Sequence, residues 1–421
     1  MLPSDDSAAQ IHSGYWHAHE DRQPRRSVRR KELKVSVMDE LRINVIDNLA
    51  QIEALWRRAS RELAGYVFQC FDWLVVWNAT VGIPEGITPA LVQVSNTAGQ
   101  TLMLIPLGIR RLHGCRVLGF LGGEESDYKA PLIDRAFATS CCAAAFAELW
   151  AMILRRLPPV DIIWFSGMPA TVAGAPNPFV TLRGAVSVGC AHAATPLPDN
   201  FESYRKAHKS ALFRKAARLY RNGAGNNPVR LERVADPTEM LGTLDLTLAW
   251  GRRRYGNDFM SASVERFYRQ ILRSRLDAAT PFVARLWIED VVVATEVGMV
   301  QGNRFYGLLT AHESGPWARL SPGRLLMAEI VRWCIAEGIE TFDLARGDEP
   351  YKKDFTDTEM SLHAYSHGPS RKGCIVLFCY AMMTRIYRQA LKNPRLRTHI
   401  VALKDRLLAV IGGLRSASAY R

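Results

Sequence analysis

Between residues 303 and 352 the chain gathers, at short spacing, side chains that can do chemistry. Ser321, Pro322 and Gly323 combine an N-cap side chain, a residue suited to the first helical position and one that lets a ligand approach the backbone. Arg319 and Arg324 flank them, so the helix start offers free amides and guanidinium groups to a phosphate or pyrophosphate. Ser-Pro-Gly also opens many helices that bind nothing. Asp343 stands between Phe342 and Leu344 in an apolar run. A carboxylate so placed either does acid–base or substrate-orienting work or is paired, with Arg346 and Lys352 as the nearby cations. Tyr351 and Lys352 follow a Gly-Asp-Glu-Pro turn. Asp127, Tyr128 and Glu296 are polar residues in apolar surroundings, facing a cleft or satisfied inside a core. The ten histidines and eight cysteines show no metal-ligand spacing, so no metal is expected. His192 is read as a loop residue and His208 as part of a basic helix, while Cys141 and Cys142 are placed on one helix. No nucleophile elbow supports Ser-His-Asp catalysis.

The elements that must position these residues follow from periodicity. Residues 303–312 are apolar on both faces, as a doubly covered central strand requires. Leu326, Ile330, Trp333 and Cys334 then recur at helical spacing, Gly338 stops that helix, and 339–345 is a second strand. Upstream, 229–234 reads as a strand, 238–254 and 263–275 as helices, and 282–288 and 291–300 as strands of a meander. The first half has the same order, with helices over 50–64 and 71–81 and strands over 91–94, 101–112 and 116–121. A helix over 138–157 and a strand over 161–165 complete it. Helices, meander, helix and strand thus occur twice, which argues for tandem copies of one fold.

In this order the motifs resemble the GNAT acetyltransferases, in the variant found in cellulose-biosynthesis CelD-type proteins. The resemblance spans 41–365 and rests on Phe68-Gln-Cys-Phe-Asp-Trp-Leu-Val-Val-Trp77, Leu104-Ile-Pro-Leu-Gly108, Leu118-Gly-Phe-Leu-Gly122, Ser126-Asp-Tyr128, Trp250, Ser321-Pro-Gly323 and the run from Phe342 to Lys352. It implies an α/β fold with mixed sheet, built as two tandem GNAT-like domains and followed by a basic helical tail. It also implies acetyl-CoA or another acyl-CoA as co-substrate. Carried over by position, Arg319, Ser321, Gly323 and Arg324 would hold the pyrophosphate, and the strand around Leu308 and Thr310 the pantetheine arm. Tyr351 would protonate the departing thiolate, Lys352 would meet an anionic group, and Trp250 would lie near the acceptor. The usual loop has more glycines and a Gln or Arg opening, a departure from the pattern. Without a Ser-Pro-Gly loop before 138–157, the first copy is expected to shape the acceptor site.

The domains expected are a disordered basic head (1–40), a GNAT-like domain (41–200), a basic linker helix (201–224), an acyl-CoA-binding domain (225–367) and a basic tail (368–421). The 48% apolar share over 421 residues suits a folded protein with two or three domains. Net charge is +13, and 371–421 alone holds eleven Lys and Arg against the single Asp405. Such a tail suits an anionic membrane surface or an acidic partner, or is a solvated helix pair. The longest apolar run, 374–383, is about half of the roughly 20 residues a membrane span needs. Without a secretory signal in the polar head, the expected place is the cytoplasm, at most peripheral to the inner face of the membrane.

These features lead to an N-acyltransferase acting on an amine, amino sugar or polysaccharide precursor, with a small-molecule or glycan acceptor and no nucleic acid. A Fem-type transferase taking aminoacyl-tRNA is the alternative; the basic helix could meet RNA phosphates, but a long coiled-coil arm is missing. A non-catalytic ligand-binding scaffold is the third.

Overall fold

A computed structural model describes residues 41–208 and 229–391. The expected head, most of the basic helix after His208 and the tail beyond 391 lie outside the described residues. The chain forms two compact units, one made of the parts up to Gly189 and from Ser361, the other of Cys190–Met360.

In the first unit β1 (Arg42–Ile46) leads into α1 (Glu53–Glu62) and α2 (Phe71–Trp77). Then come β2 (Ile87–Pro89), β3 (Leu91–Ser95), β4 (Thr101–Ile105), β5 (Leu107–Leu112), β6 (Cys115–Phe120) and β7 (Leu132–Ile133). Helices α3 (Arg135–Ser140) and α4 (Ala143–Arg156) precede β8 (Ile162–Pro169), β9 (Thr171–Val172) and β10 (Ala175–Pro176). The strand expected over 101–112 is in fact two. Pro106 has no N–H to continue a ladder, so β4 joins a sheet ordered β1-β3-β4-β7 while β5 pairs with β2 and β6. The helix expected over 138–157 also breaks. Cys141 (φ −77°, ψ 89°) and Cys142 (φ −70°, ψ 163°) leave the helical region, so they lie between two helices rather than on one.

The chain enters the second unit through β11 (Val186–Ala194). It continues as α5 (Phe201–Ala207), β12 (Val229–Val234), α6 (Pro237–Tyr255), α7 (Ala262–Arg273), β13 (Thr280–Ile288), β14 (Val291–Gln301), β15 (Arg304–His312), α8 (Pro322–Ala336) and β16 (Thr341–Arg346). It then returns to the first unit with β17 (Thr358–His367) and α9 (Arg371–Leu391). Both β11 and β17 escape the sequence reading. The second unit's strands run β12-β13-β14-β15-β16-β11, antiparallel except for the parallel pair β15 and β16 joined through α8.

Both faces of this sheet are covered, as the doubly apolar pattern of 303–312 requires. On one face Leu325, Leu326, Ile330, Val331 and Cys334 of α8 pack with Phe282, Leu286, Phe305 and Phe342. Residues of the other parity meet α6. There Thr247 and Thr295 share a hydroxyl hydrogen bond of 2.8 Å, and Arg285 Nε donates to Thr243 Oγ1 at 2.8 Å. Helix α6 starts where Asp236 accepts from the Thr238 and Glu239 amides, with Pro237 in the first position.

The expected repeat is visible in the connections. In the first unit β1, α1, α2, the strands β3 to β6, α4 and β8 follow in the order of β12, α6, α7, β13 to β15, α8 and β16. In both, the strands on either side of the crossover helix pair in parallel, β6 with β8 and β15 with β16. No helix among the described residues is long and apolar enough to cross a membrane.

Two irregularities shape β15. Its register against β14 slips between Val297↔Leu309 and Gly298↔Gly307, leaving Leu308 in a bulge. Its parallel ladder with β16 stops at Tyr306↔Asp343, although β15 runs on to His312 and β16 to Arg346. Gly298 permits the slip, since a Cβ there would lie 2.4 Å from the Tyr306 carbonyl oxygen. Gly298→Ala is therefore expected to cost about 1–3 kcal/mol through overpacking, seen as a lower urea midpoint. An unchanged midpoint would mean that the strands can part at no cost.

Candidate active site

Two fully buried carboxylates stand at the parted strands. Glu296 of β14 fills the bulge, accepting the Leu308 N–H on Oε1 at 3.2 Å and the Thr310 hydroxyl on Oε2 at 2.6 Å. A Cβ on Gly307 would lie 3.3 Å from Glu296 Oε1, so this carboxylate comes close to the strand backbone. Asp343 of β16 accepts Arg304 Nη1 on Oδ2 at 2.7 Å and the Ala345 N–H on Oδ1 at 2.7 Å. Its local bond holds Ala345 at φ 55°, a left-handed conformation that turns β16 where its pairing with β15 ends. Asp343 thus pairs across the strands with Arg304, which is registered with Thr341 two residues back along the parallel ladder.

Helix α8 begins beside this opening. Pro322 takes the first helical position and is buried. Ser321 is not the side-chain cap expected. It adopts φ 57° and ψ 59° and makes no capping bond, because the preceding 3-10 turn, Pro316–Leu320, delivers the chain in a left-handed residue. Its carbonyl instead accepts the Arg324 and Leu325 amides. Gly323 lies against His312, whose Cδ2 would be 3.1 Å from an added Cβ. Arg319 is exposed on the 3-10 turn, while Arg324 pairs with Asp354 at 2.9 Å.

His312, which the sequence marked only as a strand end, joins three elements here. Its Nδ1 lies 3.0 Å from the Glu313 carbonyl and must donate, so Nε2 accepts from Arg254 Nη1 at 3.0 Å. Arg254 comes from the last turn of α6, and its aim at β15 depends on tertiary packing alone.

The remaining candidates are placed as follows. Tyr351 packs at the edge of the α8 core. Lys352 is buried, with Nζ donating to the Arg346 carbonyl at 2.6 Å and paired to Glu349 at 3.0 Å. Trp250 is buried on α6. Asp127 and Tyr128 belong to the first unit, where both are buried and the Tyr128 ring packs 4.7 Å from Tyr66 and 5.6 Å from Phe68. The structure therefore gathers Glu296, Leu308, Thr310, Gly323 and His312 around the start of α8, with Asp343 at the end of the β15–β16 ladder.

A second group of side chains was not anticipated. Cys190 and His192 lie on β11, not a loop, and face Asp348 beyond β16. Burial and the neighbouring Glu359 and Asp348 push the Cys190 thiol up to about 11, so the free thiol is a poor nucleophile at neutral pH. Asp348 is held below the usual carboxylate range by its bond to Lys353.

Residues 209–353 match the family described as Acetyltransferase (GNAT) domain. That segment contains the parted strands, α8 and every member of the site drawn around it. No curated protein is matched by the sequence. Among solved structures, FemX is similar at 10% identity with a TM-score of 0.51, covering 77% of this chain and 97% of its own. L-PGS from Bacillus licheniformis gives 10% identity and a TM-score of 0.46, covering 80% and 96%. A tandem GNAT protein from the clavulanic acid biosynthesis pathway gives 9% identity and 0.41, covering 79% and 100%. The fold is the mixed α/β arrangement of GNAT-like units that the family resemblance implied.

Arg304→Met would leave the Asp343 carboxylate buried with one charged partner fewer. The expected loss is about 3–5 kcal/mol of unfolding free energy, measured by denaturant titration. A loss below 1 kcal/mol would mean that Asp343 does not depend on this pair.

Proposed function

We propose that this chain is an acyl-CoA-dependent N-acyltransferase, most simply an acetyltransferase, acting on an amine or amino-sugar acceptor. The observation that carries the reading is the parting of β15 from β16 beside the first turn of α8, inside the segment that matches a GNAT domain. Parted strands leave room for an extended thioester arm alongside β15. The Gly323 amide, with Arg319 and Arg324 beside it, offers a grip for a diphosphate. Transfer then needs an aligned amine, loss of its proton, and a proton for the departing thiolate as the C–S bond breaks and the amide forms. Tyr351 is the proposed proton donor to sulfur. Asp343 and Glu296 are proposed to position strands, and Lys352 to fix the loop that carries Tyr351. Trp250 is proposed on the acceptor side, and a polysaccharide precursor, in keeping with the CelD-type resemblance, is the proposed acceptor class.

A Fem-type reading, with aminoacyl-tRNA as donor, draws support from how little cationic grip is left over. Arg324 is paired and Lys352 is committed within the protein. The two readings separate by ligand. Acyl-CoA is expected to raise the melting temperature of the full chain, and Gly323→Glu to abolish that shift by filling the grip with a carboxylate. Tyr351→Phe should lower kcat roughly 100-fold, the scale of one general acid, with little change in KM. Stabilisation by aminoacyl-tRNA alone, with no response to acyl-CoA, would replace the first reading by the second.

We further propose peripheral contact with an anionic membrane. On α9 the exposed Ile375, Phe378, Met382 and Ile386 form an apolar stripe, ahead of the Lys- and Arg-rich tail. Co-sedimentation with phosphatidylglycerol vesicles is expected and should fall for Phe378→Asp; equal sedimentation with neutral vesicles would count against it.

A further inference from the structure

Cys190, His192 and Asp348 bring three different ligand types to one point. The sulfur of Cys190 lies 3.5 Å from His192 Nε2. The same ring nitrogen lies 3.6 Å from Asp348 Oδ1, and the three atoms all fall within 4.8 Å of one another. A tetrahedral zinc ion has bonds of about 2.3 Å to sulfur and about 2.0–2.1 Å to nitrogen and oxygen. Those lengths set the edges of its coordination shell at roughly 3.3–3.6 Å. The two adjoining separations observed already match such edges.

The local structure explains why the ligands converge. Cys190 and His192 are two apart on β11, so both side chains point to one face. Register against β16 slips between Ala191↔Arg346 and Ala193↔Asp343, so His192 stands opposite a bulge formed by Leu344 and Ala345 of β16, and β11 keeps its own alternation. The Gly347 amide donates to the Cys190 carbonyl at 3.2 Å, which ties the loop carrying Asp348 to this strand. His192 is buried, whereas Asp348 is 66% exposed and can adjust to an incoming ion. Asp348 also pairs with Lys353 Nζ at 2.9 Å, an ammonium placed where a bound ion would repel it.

We propose that Cys190, His192 and Asp348 bind one divalent transition-metal ion of the zinc class, displacing Lys353 from Asp348 and releasing the thiol proton to solvent. A thiolate, an imidazole and a carboxylate select such an ion over calcium or magnesium, which prefer oxygen alone. With three protein ligands, a fourth position stays open to water. The ion would fasten β11 to the loop between β16 and Tyr351. This inference does not depend on the acyltransferase reading, because none of its ligands is used there.

The test is a titration of the full-length, chelator-treated, reduced protein with Co2+, followed by displacement with Zn2+. One equivalent of Co2+ should give a thiolate-to-cobalt charge-transfer band and ligand-field bands in the visible, both abolished by Zn2+. Cys190→Ser should remove the charge-transfer band, while Cys141→Ser with Cys142→Ser should leave it. Asp348→Asn keeps an exposed side chain of equal size, so folding is preserved, and the affinity should fall at least tenfold. Lys353→Met should tighten binding several-fold by removing the competing ammonium. Absence of the bands in the wild-type protein, their survival in Cys190→Ser, or an unchanged affinity in both Asp348→Asn and Lys353→Met would overturn the proposal.

Discussion

The second unit depends on satisfying two buried carboxylates with backbone amides. Glu296 and Asp343 are fully buried; Glu296 accepts the Leu308 amide and the Thr310 hydroxyl, and Asp343 accepts the Ala345 amide and the Arg304 guanidinium. A carboxylate without such partners would be very costly in this interior. The bulge at Leu308 and the turn at Ala345 are therefore coupled to the charges, not incidental to them. One carboxylate distorts β15 from its antiparallel side. The other, beside the parallel ladder, bends β16. Both lie beside the stretch where β15 and β16 no longer pair, and both accept charge-assisted bonds there.

Packing explains why the opening sits where it does. The apolar face of α8 is fixed against Phe282, Phe305 and Phe342, with the Phe305 and Phe342 rings stacked at 5.4 Å. That contact lies on the paired side of β15 and β16, where Phe305 is registered with Phe342. The start of the helix, by contrast, meets His312 at the far end of β15. One end of α8 is thus anchored to closed sheet and the other delivered to parted sheet. The same strand–helix–strand connection in the first unit, between β6 and β8, pairs over Val117↔Ile162 and Leu118↔Ile163 alone.

The loop after β16 is as constrained as the strands. Gly347 adopts φ 130°, and a Cβ there would approach Glu349 Oε2 at 2.2 Å and Lys352 Nζ at 2.7 Å. Lys352 fills the turn from inside, bonded to the Arg346 carbonyl. Its spacing from Tyr351 means that the buried ammonium fixes the loop while the neighbouring phenol stays at the edge of the core. A single short segment therefore links the end of β16, the Cys190–His192 pair on β11 and Tyr351.

The sequence by itself determined the elements of the second unit from 229 to 345, the Pro322 helix start and the repeated element order, because periodicity and turn chemistry are local properties. It also singled out Glu296 and Asp343 as unusual, since a lone carboxylate in an apolar run is conspicuous without any coordinates. Its local reading failed where context overrides propensity: Ser321 has the right side chain for a cap but enters the helix left-handed, and 101–112 divides at Pro106 between two sheets. Only the tertiary structure decided which partners the charges find. Arg304 reaches Asp343, Arg254 reaches His312, and Asp348 reaches His192 across long stretches of chain. Register and helix direction set those pairs, and neither is written in the spacing of residues along one segment.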